Sequence, residues 1–310
     1  MSDNQTFSSV KDGILPESQL IAAFDKQQIS AAEPLLDGQI QPASLDLRLG
    51  ARAWRIQASF LPGRGQTVMD KIDKFSMYEL DLTQGAVLET GCVYIVELLE
   101  SLALPESLSA TANPKSSTGR LDVFTRLITD GAVEFEAVAA GYTGPLYAEI
   151  SPRTFSVMVR KGSRLSQLRL RRGQQILDDA GHADLQERHQ LVRFDDETIV
   201  SINDGIGLSV NLVPQEKTGL VGWRARKHAG LIDVDKPASQ PAARFWEAVT
   251  EADLFKGGLV LNPDEFYILA SQEFVIVPAD YAAEMRAYDT RVGEFRAHYA
   301  GFFDPGFGMA

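Results

Sequence analysis

The chain has 310 residues, with 30 Lys and Arg against 42 Asp and Glu, a formal charge of −12, 45% apolar residues and one cysteine. An acidic body works against nucleic-acid binding, which needs a basic face to displace counterions. No apolar run is long enough to span a bilayer, the N-terminus lacks a secretory pattern, and Cys92 has no disulfide partner. The expectation is a cytoplasmic protein with room for two domains.

Residues 16–28 space Leu20, Ile21 and Phe24 at helical intervals and predict an amphipathic helix. The chain then turns β-rich. "ASLDLRLG" (43–50) alternates apolar and polar residues, and "GAVLETGCVYIVELLESLALP" (85–105) reads as two strands around a glycine turn. "NPKSSTGR" (113–120) sets two serines between Lys115 and Arg120. "GPLYAEISP" (144–152) and "FSVMVRKG" (155–162) are further short strands. Residues 153–173 carry Arg153, Arg160, Lys161, Arg164, Arg169, Arg171 and Arg172 with no acid. That run reads either as strands with solvated basic positions or as one wall of an anion site.

The polar stretch 178–196 reads as a connector. Beyond it, "DGIGLSVNL" (204–212) repeats the β character of "ASLDLRLG". "GGLVLNPDEFYILASQEFVIVP" (257–278) then matches the 85–105 segment at one fixed spacing: Gly85, Val87, Leu88, Tyr94, Ile95, Glu100 and Pro105 recur as Gly258, Val260, Leu261, Tyr267, Ile268, Glu273 and Pro278. Hydrophobic patterning alone does not keep Gly, Tyr, Glu and Pro in register, so two copies of one β-domain are expected. The boundaries are 1–177 for the first, 178–196 for the connector and 197–310 for a second copy that lacks a counterpart to "LYAEISP".

One cysteine and four dispersed histidines do not supply the His/Cys set of a zinc-activated water. No phosphate-binding glycine fingerprint is present. What remains is hydroxyls, guanidinium and carboxylate. Ser116 and Ser117 offer rotatable donors, and Arg120 can grip an oxyanion. Glu149 is a lone charge in "LYAEI". Buried among Leu146, Ala148 and Ile150 it would suit proton transfer; facing solvent or Arg153 it would be structural.

In these residues the chain resembles the deoxycytidine triphosphate deaminases of the trimeric dUTPase superfamily. "ASLDLRLG" is similar to the first motif. "PKSSTGRL" resembles the Arg-Ser-Ser-x-x-Arg segment, with Lys115 in place of arginine. "GYTGPLYAEI" resembles the segment leading to the catalytic glutamate, and "KGSRLSQL" the Gly-x-Arg-x-x-Gln-Leu motif. The resemblance implies a mainly β fold of two tandem distorted β-barrels (β-clips) with a few short helices, the second copy incomplete. It implies zinc-free deamination of dCTP to dUTP, with Glu149 as general base and acid and Ser116 and Arg120 positioning water. Lys115, Ser117, Arg164 and Gln167 would contact phosphates. Asp46 would be structural or act through Mg2+ carried by the triphosphate. A homotrimer follows from the family's intersubunit sites.

The family's Ala-His-Arg-x-Asp-Pro-Gly stretch is replaced here by "ITDGAVEFEAVAAGY". Thr129 and Asp130 then stand in for base or sugar contacts, and Tyr142 for the aromatic on the sugar. The second copy keeps Arg291 and "FFDPGF" but has Ala287 and Tyr288 against Ser116 and Ser117; Asp304 is its candidate contribution to a composite site. A dUTP diphosphatase, a bifunctional enzyme and a nucleotide-sensing module are the alternatives.

Overall fold

The computed structural model describes residues 12–173, 176–194, 200–286 and 301–309. Alternation in "ASLDLRLG" places Leu45, Leu47 and Leu49 in the core at 1% exposure or less. Their strand, β1, runs on from Ser44 to Ile56. It can cross from one set of neighbours to another because Gly50 lies against Glu97. A Cβ at Gly50 would sit 2.9 Å from the Glu97 carbonyl oxygen, so any larger residue would push the strands apart.

The other main strands of the first half are β2 (Ser76–Asp81), β3 (Ala86–Leu88), β4 (Val93–Ala103), β5 (Leu108–Pro114), β6 (Val123–Thr129), β7 (Thr143–Pro152), β8 (Ser156–Val159) and β9 (Arg164–Arg172). The large sheet has the order β5-β9-β1-β4-β7-β6, every pair antiparallel. It curls until β6 returns towards β5. Glu136, at φ +67°, links the two: its N–H donates to Leu127 O at 3.1 Å and its carbonyl accepts from Ala112 N at 2.8 Å. The two-layered core follows from the alternation. Leu146, Ala148 and Ile150 of β7 face the main core. Tyr147 faces a second apolar cluster with Trp54, Ile95 and Ile128, sealed by Val68 and Ile72 of a helix.

The predicted N-terminal helix is α1 (Glu17–Asp25), burying Leu20 and Ala23. The sealing helix, α2 (Val68–Phe75), starts at a capping box in which Thr67 accepts from Asp70 N and Asp70 from Thr67 N. The "KSSTGR" turn contains one short helix, α3 (Ser116–Gly119). The polar stretch read as a connector holds α4 (Asp179–His189), capped by Asp178, which accepts from Gly181 N at 2.8 Å, and ended by left-handed Gln190. Its sparse apolar content, with only Leu185 buried, hides it from a periodicity reading.

In the second half, β10 (Leu220–Ala225) lies between β12 (Trp246–Thr250) and β13 (Tyr267–Leu269), with β11 (Leu231–Asp233) joining a different sheet. The order β12-β10-β13 reproduces β2-β1-β4. Trp54 pairs with Glu79 and Ile95; Trp223 pairs with Ala248 and Ile268. The repeat reaches individual hydrogen bonds. The Tyr94 hydroxyl accepts from Glu89 N at 3.1 Å, and Tyr267 from Asn262 N at 3.4 Å. Buried Glu100 accepts from Arg48 N, and buried Glu273 from Ser209 N. Pro105 O and Pro278 O each close the same turn, to Leu108 N and Tyr281 N at 3.0 Å. Arg291, Ala287 and Tyr288 lie outside the described residues. Among the described residues, no strand pairs with β13 on the side where β7 lies on β4.

The halves are joined by side chains and backbone. β11 pairs in parallel with β8, and β3 flanks β8 on the other side. Phe155, 1% exposed, packs edge-on against Phe245 and Trp246.

Candidate active site

Glu149 sits mid-strand in β7, opposite Arg126 of β6 and Ile95 of β4. It is 1% exposed. Leu146, Ala148 and Ile150 do not bury it; they face the other side of the sheet, as a two-residue period requires. Glu149 lies on the Tyr147 face, and its partner is Arg126 rather than solvent or Arg153. Arg126 Nε donates to Glu149 Oε1 at 3.1 Å and Nη2 bonds the same oxygen. The guanidinium carbon lies 3.5 Å from the Phe135 ring centre and 4.7 Å from that of Phe124, and Nη2 also reaches Ser59. Glu149 Oε2 is buried with no hydrogen-bond partner. A carboxylate oxygen in that state is available to a water or a substrate donor.

A second carboxyl adjoins this pair. Burial pushes Glu136 up to about 8, and the Glu149 charge adds to the shift, against the Leu127 N–H and the Arg126 charge. Sequence reasoning missed Arg126, Phe135 and Glu136. The signal for Arg126 was present: it is the single charge in "VFTRLIT", as Glu149 is in "LYAEI".

Thr129 ends β6, and Asp130 follows it beside Tyr142. Thr129 is buried and pairs with Leu146. Asp130 Oδ1 accepts from Val68 N at 2.7 Å at the start of α2. The Tyr142 hydroxyl donates to Pro145 O at 2.6 Å and accepts from Asp130 N at 3.3 Å. Burial raises the Tyr142 phenol well above its ordinary value. Asp130 is therefore tied both to Tyr142 and to α2, just beyond Thr129 at the C-terminal end of β6.

The "KSSTGR" turn forms a separate group. Asp46, 1% exposed, is bonded by Lys115 Nζ and lies 3.3 Å from Arg164 Nη1. Gln167 stands opposite Asp46 on β9, its Oε1 3.5 Å from Ser44 Oγ. Ser117 and Arg164 line a small recess with Leu121, Val123, Leu165 and Val234. Ser116, Ser117 and Arg120 are exposed. Three of the other six basic residues of 153–173 are engaged elsewhere: Arg160 with Asp233 and Asp235, Lys161 with Glu33, and Arg169 with Asp304. Asp304 thus faces a strand arginine of the first half, whose two Nη atoms also bond Ala283 O and Phe303 O at 2.8 Å.

Within one chain the two groups do not meet. α3 ends before Val123, which pairs with Pro152, whereas Glu149 pairs with Arg126. Three strand residues, about 10 Å, separate those positions. No hydrogen bond or ion pair among the described residues joins Glu149 to Ser116 or Arg120. Among the described residues no three His, Cys, Asp or Glu side chains are grouped to hold a metal ion, and no helix is long and apolar enough to cross a membrane.

The barrel-like sheet of the first half and the strand order repeated in the second describe a mainly β protein built of two related domains. Residues 11–174 match the N-terminal domain model of 2'-deoxycytidine 5'-triphosphate deaminase, and residues 178–310 the C-terminal domain model. The chain belongs to the 2'-deoxycytidine 5'-triphosphate deaminase family. It is 53% identical to the solved 2'-deoxycytidine 5'-triphosphate deaminase of Agrobacterium tumefaciens, at a TM-score of 0.90, covering 96% of this chain and 88% of that one. It is 34% identical over 141 residues to the dCTP deaminase of Halorubrum lacusprofundi, a match spanning 44% of this chain and 66% of that protein. It is 31% identical over 166 residues to the dCTP deaminase, dUMP-forming, of Methanoculleus marisnigri, spanning 50% and 82%. Both of these shorter matches cover about half of this chain.

Proposed function

We propose that the protein hydrolyses dCTP to dUTP and ammonia, with the reacting water bound at Glu149. The observation that carries this is the buried, unpartnered Oε2 of Glu149, held in place through Oε1 by Arg126. Glu149 takes a proton from the water as its oxygen attacks C4 of the cytosine, and delivers that proton to N3. The C4–N bond then breaks. The second water proton leaves with the amine through the same carboxylate, giving ammonia. Glu149, rather than a metal, activates the water in this scheme.

Ser116 and Arg120 hold the water and the developing charge at C4. Because they are exposed and lie apart from Glu149 within one chain, the site closes between copies, with the turn of one protomer against the strand glutamate of another. A homotrimer satisfies this as a closed ring. Ser117, Lys115, Arg164 and Gln167 receive the triphosphate. The carboxylate at that end, Asp46, already faces Lys115 and Arg164, so Mg2+ rides on the nucleotide's own phosphates. Thr129, Asp130 and Tyr142 bound the base and sugar.

A second reading, deamination followed by cleavage to dUMP and pyrophosphate, draws support from the "dUMP-forming" relative. One assay tests both. The protein is incubated with dCTP, dUTP or CTP and magnesium near neutral pH, and products are resolved by chromatography. The expected product is dUTP from dCTP. Pyrophosphate and dUMP would favour the second reading, and neither product from dCTP sinks both.

A further inference from the structure

The second half also meets the first beside the serine-arginine turn, away from the Arg169–Asp304 contact. β11 extends the β3-β8 sheet, and the chain leaves it as Asp233-Val234-Asp235. Val234 N donates to Met158 O at 3.2 Å, and Val234 packs on the main core and lines the small recess that Ser117, Leu121, Val123, Arg164 and Leu165 also line. The two acids bind the turn that launches Arg164. Arg160 makes a two-pronged pair with Asp233, Nη1 to Oδ1 at 2.7 Å and Nη2 to Oδ2 at 2.8 Å. Asp235 Oδ2 accepts from Ser163 Oγ at 2.7 Å and lies 3.2 Å from Arg160 Nη1. Ser163, 2% exposed, accepts in turn from Arg160 N at 2.8 Å. The Arg160–Ser163 turn is thus fastened from outside by the second half, one residue before Arg164.

We infer that residues 233–235 of the second half are positioning residues for the triphosphate end of the first half's site: Asp233 and Asp235 fix the turn that aims Arg164, and Val234 closes the wall of the recess shared with Ser117 and Arg164. The inference rests on the phosphate roles proposed above for Ser117 and Arg164. Charge and geometry predict opposite signs. Asp235 is a negative charge near a polyanion, so through charge alone its removal would tighten binding. Through geometry its removal loosens Arg164 and Ser117 and weakens binding.

The test uses the full chain with Asp235→Ala, Asp235→Asn and Val234→Ala. Asp235→Ala is expected to raise KM for dCTP by about fivefold or more with kcat within about twofold, the pattern of lost substrate positioning. Asp235→Asn, which keeps an acceptor oxygen, is expected to fall between it and wild type. Hydrogen exchange gives a readout independent of turnover. Amides of residues 115–123 and 160–165 should exchange faster in Asp235→Ala, while those of β4 and β7 stay as in wild type. An unchanged or lowered KM with unchanged exchange at 115–123 overturns the inference. If Asp235→Ala fails to fold, Val234→Ala decides by the same two measurements. Failure of wild type to deaminate dCTP would strike the proposed function alone, because the exchange pattern still reads the brace.

Discussion

Glu149 and Glu136 are two carboxyls near one guanidinium, and their surroundings give them different work. Glu149 has Arg126 on one oxygen and a buried second oxygen with no hydrogen-bond partner. Glu149→Gln keeps the shape and removes the proton acceptor. It is expected to lower kcat by about 10²–10⁴-fold while leaving dCTP binding measurable by calorimetry; wild-type turnover in this variant would remove Glu149 from the mechanism. Glu136 is the pH-sensitive member. Its folded value near 8 stands above the ordinary 4.5, because burial disfavours the charge. The fold therefore favours the protonated form. The stability it lends is fully present below 4.5 and is lost as pH rises through about 8. Glu136→Gln stays neutral throughout, so its melting temperature should gain on wild type progressively from about pH 5 to about pH 9. A parallel pair of curves would mean that Glu136 does not titrate in this window.

At the level of elements, α2 decides whether the Glu149 face is dry. Val68 and Ile72 seal the cluster on that face, and the same helix start receives Asp130. Thr67→Ala removes a cap that accepts from Asp70 N at 3.1 Å and should cost about 1 kcal/mol of stability, measured by denaturant titration. Because Asp130 bonds the adjacent Val68 N, the same variant should change KM for dCTP if Asp130 borders the base. The elements also mark what the sequence made legible. Strong two-residue alternation in "ASLDLRLG" and "LYAEISP" made β1 and β7 readable. The helix at 68–75 was not: Val68, Met69, Ile72 and Phe75 recur at helical spacing, but over only eight residues, too short a run for periodicity to separate a helix from a loop. The Glu149–Arg126 pair needs the register of β6 on β7, which a sequence with a loop of unknown path between them does not contain. The sequence leaves open whether Glu149 is buried or faces solvent, and the face expected for a buried Glu149 is the wrong one, since Leu146, Ala148 and Ile150 share a side that excludes residue 149.

For the whole molecule, the separation of Glu149 from Ser116 and Arg120 sets a test of shared sites. Glu149→Gln and Arg120→Ala should each be inactive alone. Unfolded together and refolded as a 1:1 mixture, they should regain about a quarter of wild-type activity, because each site draws one part from each of two neighbours in a closed ring. No recovery would place both parts in one chain. The repeat was legible in Gly, Tyr, Glu and Pro because those residues serve backbone paths common to both halves: Tyr94 and Tyr267 each accept from the N–H five residues earlier, and Glu100 and Glu273 from a main-chain N–H of the segment ahead of that turn. How the halves dock was not legible. It depends on Phe155, Arg160 and Arg169 meeting residues far along the chain.

The parallel pairing of β8 with β11 also has a consequence for synthesis. When the ribosome has delivered Val159, one edge of β8 has no partner from the nascent chain until Leu231–Asp233 arrives. At roughly 5–20 residues per second, that edge stays open for several seconds on every polysome. An open strand edge invites pairing with a neighbouring chain. Slowing translation between the codons for residues 160 and 230 should therefore lower soluble yield more than the same slowing placed after residue 240.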